Sequence, residues 1–246
     1  MTTITRNGPR IGVLVPYTNC NIEPDMQLLC PPGATIHCAR MGGYDVDEIP
    51  GSDQMAGLGS SDISEPLMLL SGVRPHAILY GCTSATLTHG PAFDADLSER
   101  IKSGSGALSL TAAGSLVAAI QALGAARVGF ASPYLGEIND QAMRFLSGQG
   151  IETVKCHDVG RPLGNYGQGE LTPDEVFELA LQADHPDAQA IVLSCTDMRS
   201  VECITRVEAA LGKPVVTSNQ AMMFCLMRAL DLPRHDDAPG RLFDLL

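Results

Sequence analysis

Short, unbroken apolar runs recur along the chain. They are RIGVLVP at 10–16, AILY at 77–80, RVGFAS at 127–132, AIVL at 190–193 and KPVVTSN at 213–219. Runs of this length without polar alternation read as strands buried on both faces. Between them the apolar positions recur every three or four residues, as in helices. Residues 105–126 carry Leu116, Ile120 and Leu123 at that spacing and stop at Gly124. Residues 139–150 open on Asn139 as a cap and end at a glycine. Residues 172–184 open with Thr172, Pro173 and Glu175, the pattern of an N-cap, a first-turn proline and a capping box. Residues 197–212, opening on Asp197, and 219–230 complete the set. Strands alternating with helices predict right-handed βαβ units and mainly parallel sheets.

The strands come in two matched sets. RIGVLVPYTN (10–19) and RVGFASPYLG (127–136) share Arg10/Arg127, Gly12/Gly129, Pro16/Pro133 and Tyr17/Tyr134. Residues 10 and 127 are 117 apart, and a Cys-Thr pair after each of two further strands, Cys82 and Cys195, is 113 apart. Two segments repeated in the same order at nearly one offset predict a duplication. The expected fold is α/β with two pseudo-symmetric lobes, each a mainly parallel sheet flanked by helices. The first lobe takes residues 1–108 plus 213–246, with the helix at 219–230 packed back on it. The second takes 109–212. Ligands of open parallel sheets bind beyond the C-terminal strand ends. Cys82 and Cys195 are therefore expected to approach one cleft from opposite sides.

Composition narrows the class. The chain has 246 residues, is 45% apolar and carries a net charge of −12. Scattered acidic charge argues against a nucleic-acid partner, which needs a basic face. No apolar tract is long enough for a membrane span. A polar leader at 1–7 runs directly into a strand without the features of a signal peptide, which points to the cytoplasm. Eight cysteines without a CxxC pair are expected to be reduced. Cys38, Cys203 and Cys225 read as small buried apolar residues and Cys30 and Cys156 as structural. No Walker loop, GxGxxG fingerprint or metal-ligand spacing is present, so neither metal nor organic cofactor is expected. His89 and His157 lie in no motif.

A cysteine is reactive as its thiolate, and a free thiol titrates near about 8.5. Helices starting at Thr83 and Asp197 would present amides to both sulfurs and to a substrate carboxylate. Two thiols flanking a flat substrate suit two chemistries. They can act as a two-base pair, or one can add to a double bond while the other handles the proton. A disulfide between them and a purely structural role are the further alternatives.

These residues resemble the aspartate/glutamate racemase superfamily, and within it the branch of maleate cis–trans isomerases and arylmalonate decarboxylases. The resemblance spans Arg10 to about Leu232. VPYTNCNIEPD (15–25) is similar to the isomerases' Val-Pro-Ser-Ser-Asn motif, with Pro16 in place, Tyr17 and Thr18 on the two serines and Asn19 on the carboxylate-binding asparagine. GCTSAT puts Cys82 on the isomerases' nucleophile, while Thr83 and Ser84 resemble the hydroxyls with which the decarboxylases hold a carboxylate. SPYLGEIN places Tyr134 on a carboxylate-binding tyrosine, GNYGQGELTP places Asn165 on an asparagine-bearing loop, and LSCTD carries Cys195 and Thr196. The decarboxylases keep only the second cysteine, although GRLFD at 240–244 is similar to their side of the branch. The resemblance implies a cofactor-independent isomerase acting on a maleate-like dicarboxylate, assembled as a dimer or larger. An amino-acid or hydantoin racemase, a decarboxylase and a non-enzymatic carboxylate-binding protein are the alternatives.

Overall fold

The computed structural model describes residues 8–42 and 52–246; the polar leader at 1–7 lies outside them. The first half contains β1 (Arg10–Pro16), α1 (Ile22–Leu29), β2 (Thr35–Met41), α2 (Ser52–Ser60), α3 (Ser64–Ser71), β3 (Ala77–Tyr80), α4 (Thr83–Leu87), α5 (Pro91–Ser105), β4 (Leu108–Thr111) and α6 (Ala112–Ala122). The second contains β5 (Arg127–Ser132), α7 (Gly136–Ser147), β6 (Glu152–Asp158), α8 (Gly167–Glu170), α9 (Pro173–Gln182), β7 (Ala190–Leu193), α10 (Ile204–Leu211), β8 (Val215–Thr217) and α11 (Ser218–Leu230).

The strands form two four-stranded parallel sheets of identical order, β2-β1-β3-β4 and β6-β5-β7-β8. The repeat extends to the register. Ile11 pairs with Ala77, and Val128 with Ala190. The Gly81 N–H donates to Leu14 O and the Ser194 N–H to Ala131 O, each at 2.9 Å. β3 and β7 are buried at every position, which is why they read as solid apolar runs. The repeated glycine also has a packing reason. A Cβ on Gly129 would run into the Ala183 carbonyl, and one on Gly12 would stand 2.9 Å from Leu70.

One buried cluster runs through both lobes, from Ile11 and Met26 through Ile120 and Phe130 to Phe224. A second covers the outer face of the first sheet around Tyr80, Leu97 and Ile101. Among the described residues no helix is long and apolar enough to cross a membrane.

Several expectations need correction. Residues 105–126 are not one helix: β4 occupies 108–111, and the Thr111 side chain, accepting from Gly114 N–H, starts α6 only after it. Leu108 and Leu110 alternate at the strand period, and both pair with β3. The strand at 215–217 pairs with β7 in the second sheet, so it does not lie with the first lobe as the 213–246 grouping had it. α11, which follows β8 in the second half, packs on α1 and α6 of the first. Asn139 lies within α7, bonded to Ser132 Oγ and Tyr134 O, and does not cap it. The Thr172–Glu175 capping box is formed as expected. Cys203 is buried, Cys225 is half-buried, and Cys38 is exposed on edge strand β2.

Candidate active site

Each sheet sends two central strands to the same edge, and the four loops that leave them meet around one cavity of about 150 Å³. β1 delivers Pro16 to Asn19, β3 delivers Cys82, β5 leads to Tyr134, and β7 delivers Cys195 to Asp197. Asn165 and Gln168 close one side from the loop before α8 and from α8 itself. Met55 and Leu58 of α2, with Ile138 of α7, form an apolar wall. A cavity this small suits a ligand of a few heavy atoms, since drug-sized ligands need about 300 Å³ or more.

Cys82 occupies the cap position of α4, extended at φ −136°, and is 6% exposed. The amides of Ser84 and Ala85 and the Ser84 hydroxyl favour its thiolate, but burial outweighs them and the thiol is pushed above its ordinary value. Cys195 is pushed up to about 12, first by burial and then by the neighbouring Asp197 carboxylate. The Tyr134 hydroxyl and the Asp197 N–H, 3.4 Å from Sγ, pull the other way. The expected helix dipole is missing at this second thiol. Residues 196–198 form a bend, a short 3₁₀ turn follows at Val201–Cys203, and α10 begins only at Ile204. All eight cysteines are free thiols, with Cys82 and Cys195 unbonded to each other.

The polar wall is tied across the lobes. Asn19 Nδ2 donates to Thr196 Oγ1 at 3.0 Å, and Thr196 Oγ1 donates to Gly81 O at 2.8 Å. Asn19 Oδ1 accepts from the Asn21 and Ile22 amides and so anchors the start of α1. Burial, with Cys195 and Cys82 nearby, pushes the Tyr134 hydroxyl well above its ordinary value, against the pull of the Ser84 side chain. Pro16, Asn19, Ser84, Tyr134, Asn165 and Thr196 all line the cavity with the two cysteines.

Thr83 is the exception. Its hydroxyl donates to Ser218 Oγ at 2.9 Å, across the interface at the start of α11, and the residue stays out of the lining. The local sequence shows a hydroxyl beside Cys82, but its direction is set by the packing of α11. His89 stacks on Phe93 at 4.0 Å, and His157 borders a separate groove on the outside of the second lobe.

Sequence reasoning missed Asp197, Gln168 and the α2 wall. The sequence pattern predicts Asp197 as a helix opener, whereas its position in the lining follows from the bend after Cys195. Its Oδ1 accepts from Cys20 N–H (2.9 Å), Asn21 N–H (3.1 Å) and Asn21 Nδ2 (3.3 Å). Burial lifts it to about 6 against those donors. The described lining contains no Lys, Arg or His, so an anion there meets only neutral donors.

Two parallel sheets of one strand order, meeting at their C-terminal edges over paired cysteines, define a pseudo-symmetric two-lobed α/β protein of the racemase-like type. The chain belongs to the arylmalonate decarboxylase family, whose model matches residues 11–243. The maleate isomerase of Nocardia farcinica is 28% identical over 95% of this chain and 94% of its own length. The arylmalonate decarboxylase of Bordetella bronchiseptica is also 28% identical, over 98% of this chain and 96% of its own. A variant of the maleate isomerase from Pseudomonas putida S16, solved with maleate, superposes with a TM-score of 0.85 at 26% identity, covering 96% of this chain and 97% of that one.

Proposed function

We propose that this enzyme is a cofactor-independent cis–trans isomerase of a small unsaturated dicarboxylate of the maleate type. The observation that carries the reading is the pair of buried thiols, Cys82 and Cys195, one from each lobe, lining a single small cavity. Relatives named as isomerases and as a decarboxylase match equally well by identity, so the site has to decide. Two thiols fit addition and proton delivery, whereas a decarboxylase of this branch would need only the second.

In the proposed cycle the Cys82 thiolate, held by the Ser84 and Ala85 amides, adds to one alkene carbon. The electron pair moves to the neighbouring carbon and its carboxylate, and Cys195 gives that carbon its proton. The central bond is now single and rotates. Cys195 takes the proton back, the C–S bond breaks, and the trans dicarboxylate leaves with Cys82 again a thiolate. Asn19, Tyr134, Asn165, Thr196 and Ser84 hold the carboxylates through neutral donors, and Pro16 shapes the wall beside them. Thr83 supports the site from outside it. The site needs no metal or organic cofactor for these steps. We place the protein in the cytoplasm as a homo-oligomer, dimer or larger, which light scattering measures.

Conversion of maleate to fumarate by the wild-type protein tests the reading. Cys82→Ala and Cys195→Ala are each expected to lower turnover by about 10³-fold or more, as for nucleophiles and proton carriers elsewhere. Turnover within a few-fold of wild type in either variant overturns it.

A further inference from the structure

The charge inventory of the cavity is unbalanced for its proposed ligand. Among the described residues that line it, Asp197 carries the one carboxylate and there is no cation. The guanidinium of Arg40, which acts on the neighbouring Cys20, is engaged by Glu23 and by the carbonyls of Pro16 and Asn19, and that of Arg199, two residues beyond Asp197, is held by Glu202. The other titratable groups around Asp197 are the thiols of Cys20, Cys195 and Cys82 and the buried Asp25 carboxyl of α1. Glu170 is exposed at the end of α8. Nothing in this set offsets two carboxylates arriving beside Asp197 in about 150 Å³.

The geometry leaves one oxygen of Asp197 without an N–H donor, with the Cys20 thiol beside it. The three N–H donors are all spent on Oδ1. Oδ2 faces the Gly169 Cα, where an added Cβ would stand 3.0 Å from both Oδ2 and Cys20 Sγ. We propose that Asp197 is the proton-binding partner of the substrate: a small dicarboxylate enters the cavity together with one solvent proton, which Asp197 takes on at Oδ2. This rests on the isomerase reading of the same site. One O–H bond forms, and nothing is oxidised or reduced. Asp197 already titrates at about 6 in the free protein because it is buried. Like charges at close range shift a carboxyl further up. Above that pH the free protein holds Asp197 ionised and the complex holds it protonated. Dicarboxylate affinity therefore falls by about tenfold per pH unit.

Succinate is a suitable probe, because a saturated dicarboxylate cannot undergo thiol addition. Calorimetric titration of the full-length protein near pH 7, in two buffers of different ionisation enthalpy, counts the protons taken up. Close to one proton per succinate is expected, with affinity falling about tenfold from pH 7 to 8. Asp197→Asn keeps the Oδ1 acceptor, and it is expected to remove both the uptake and the pH slope. Succinate binding without proton uptake in the wild type, or uptake unchanged in Asp197→Asn, overturns the inference and leaves the isomerase reading standing. No saturable succinate binding by the wild type overturns both.

Discussion

Asn19 Nδ2 lies 3.0 Å from Thr196 Oγ1, a bond between residues 177 positions apart that joins the end of β1 in one lobe to the end of β7 in the other. The same asparagine caps the amides of Asn21 and Ile22 through its Oδ1. Asn19→Ala thus strips a helix anchor and a lobe-to-lobe bond at once. The expected cost is about 2 kcal/mol of stability, visible as a lowered Tm, with a larger relative loss in kcat/KM. Thr196→Val removes only the cross-lobe partner, and its Tm is expected to fall by less.

Thr83 sits beside Cys82 in sequence, yet its hydroxyl is committed to Ser218. Thr83→Val keeps the volume and leaves the buried Ser218 oxygen without its donor. The expected loss is about 1 kcal/mol in denaturant unfolding, with KM for maleate within about threefold of wild type. A KM raised more than about tenfold at unchanged stability would show that Thr83 touches the substrate.

Asp25 gives stability a pH dependence of unusual sign. Burial lifts its carboxyl from 3.8 to about 7, against a 2.7 Å hydrogen bond from Asn219 Nδ2. The folded state therefore binds this proton more tightly than the unfolded chain. The stabilisation is complete below the unfolded value and is lost as pH rises from about 4 to about 7, amounting to at most ~4 kcal/mol. Arg199, Glu202 and Asp197 are the charges that act on it. Asp25→Asn removes this contribution. Its Tm is expected to gain on the wild type as pH rises from 5 to 8, and a difference constant with pH would contradict the assignment.

The legible parts of the fold were those fixed by short-range pattern. β1, β3, β5 and β7 stood out because central parallel strands are buried on both faces, and the Thr172 box stood out because capping is local. The duplication was legible because Gly12 and Gly129 answer the same demand for close packing on either sheet. β4 was hidden, since four residues feeding straight into α6 give an alternation too short to stand apart from the helix that follows. The cavity followed from where four strands end, so Cys82, Cys195, Asn19 and Tyr134 could be grouped before the structure. Thr83, Asp197 and Met55 could not be placed that way. Their directions depend on α11, on the bend after Cys195 and on the seating of α2, none of which is written in neighbouring residues.

The central claim is that Cys82 adds to the alkene while Cys195 carries the proton. Proton NMR of maleate turned over in D₂O, with intact-mass analysis of the quenched enzyme, tests it most directly. Addition at Cys82 leaves the vinylic hydrogens on carbon, and burial of Cys195 slows exchange of its proton with solvent. The account predicts fumarate with little deuterium and a Cys82 adduct of one substrate mass that is absent from Cys82→Ala. Deuterium delivered to a saturated carbon, with or without loss of CO₂, and no adduct on Cys82 would contradict it.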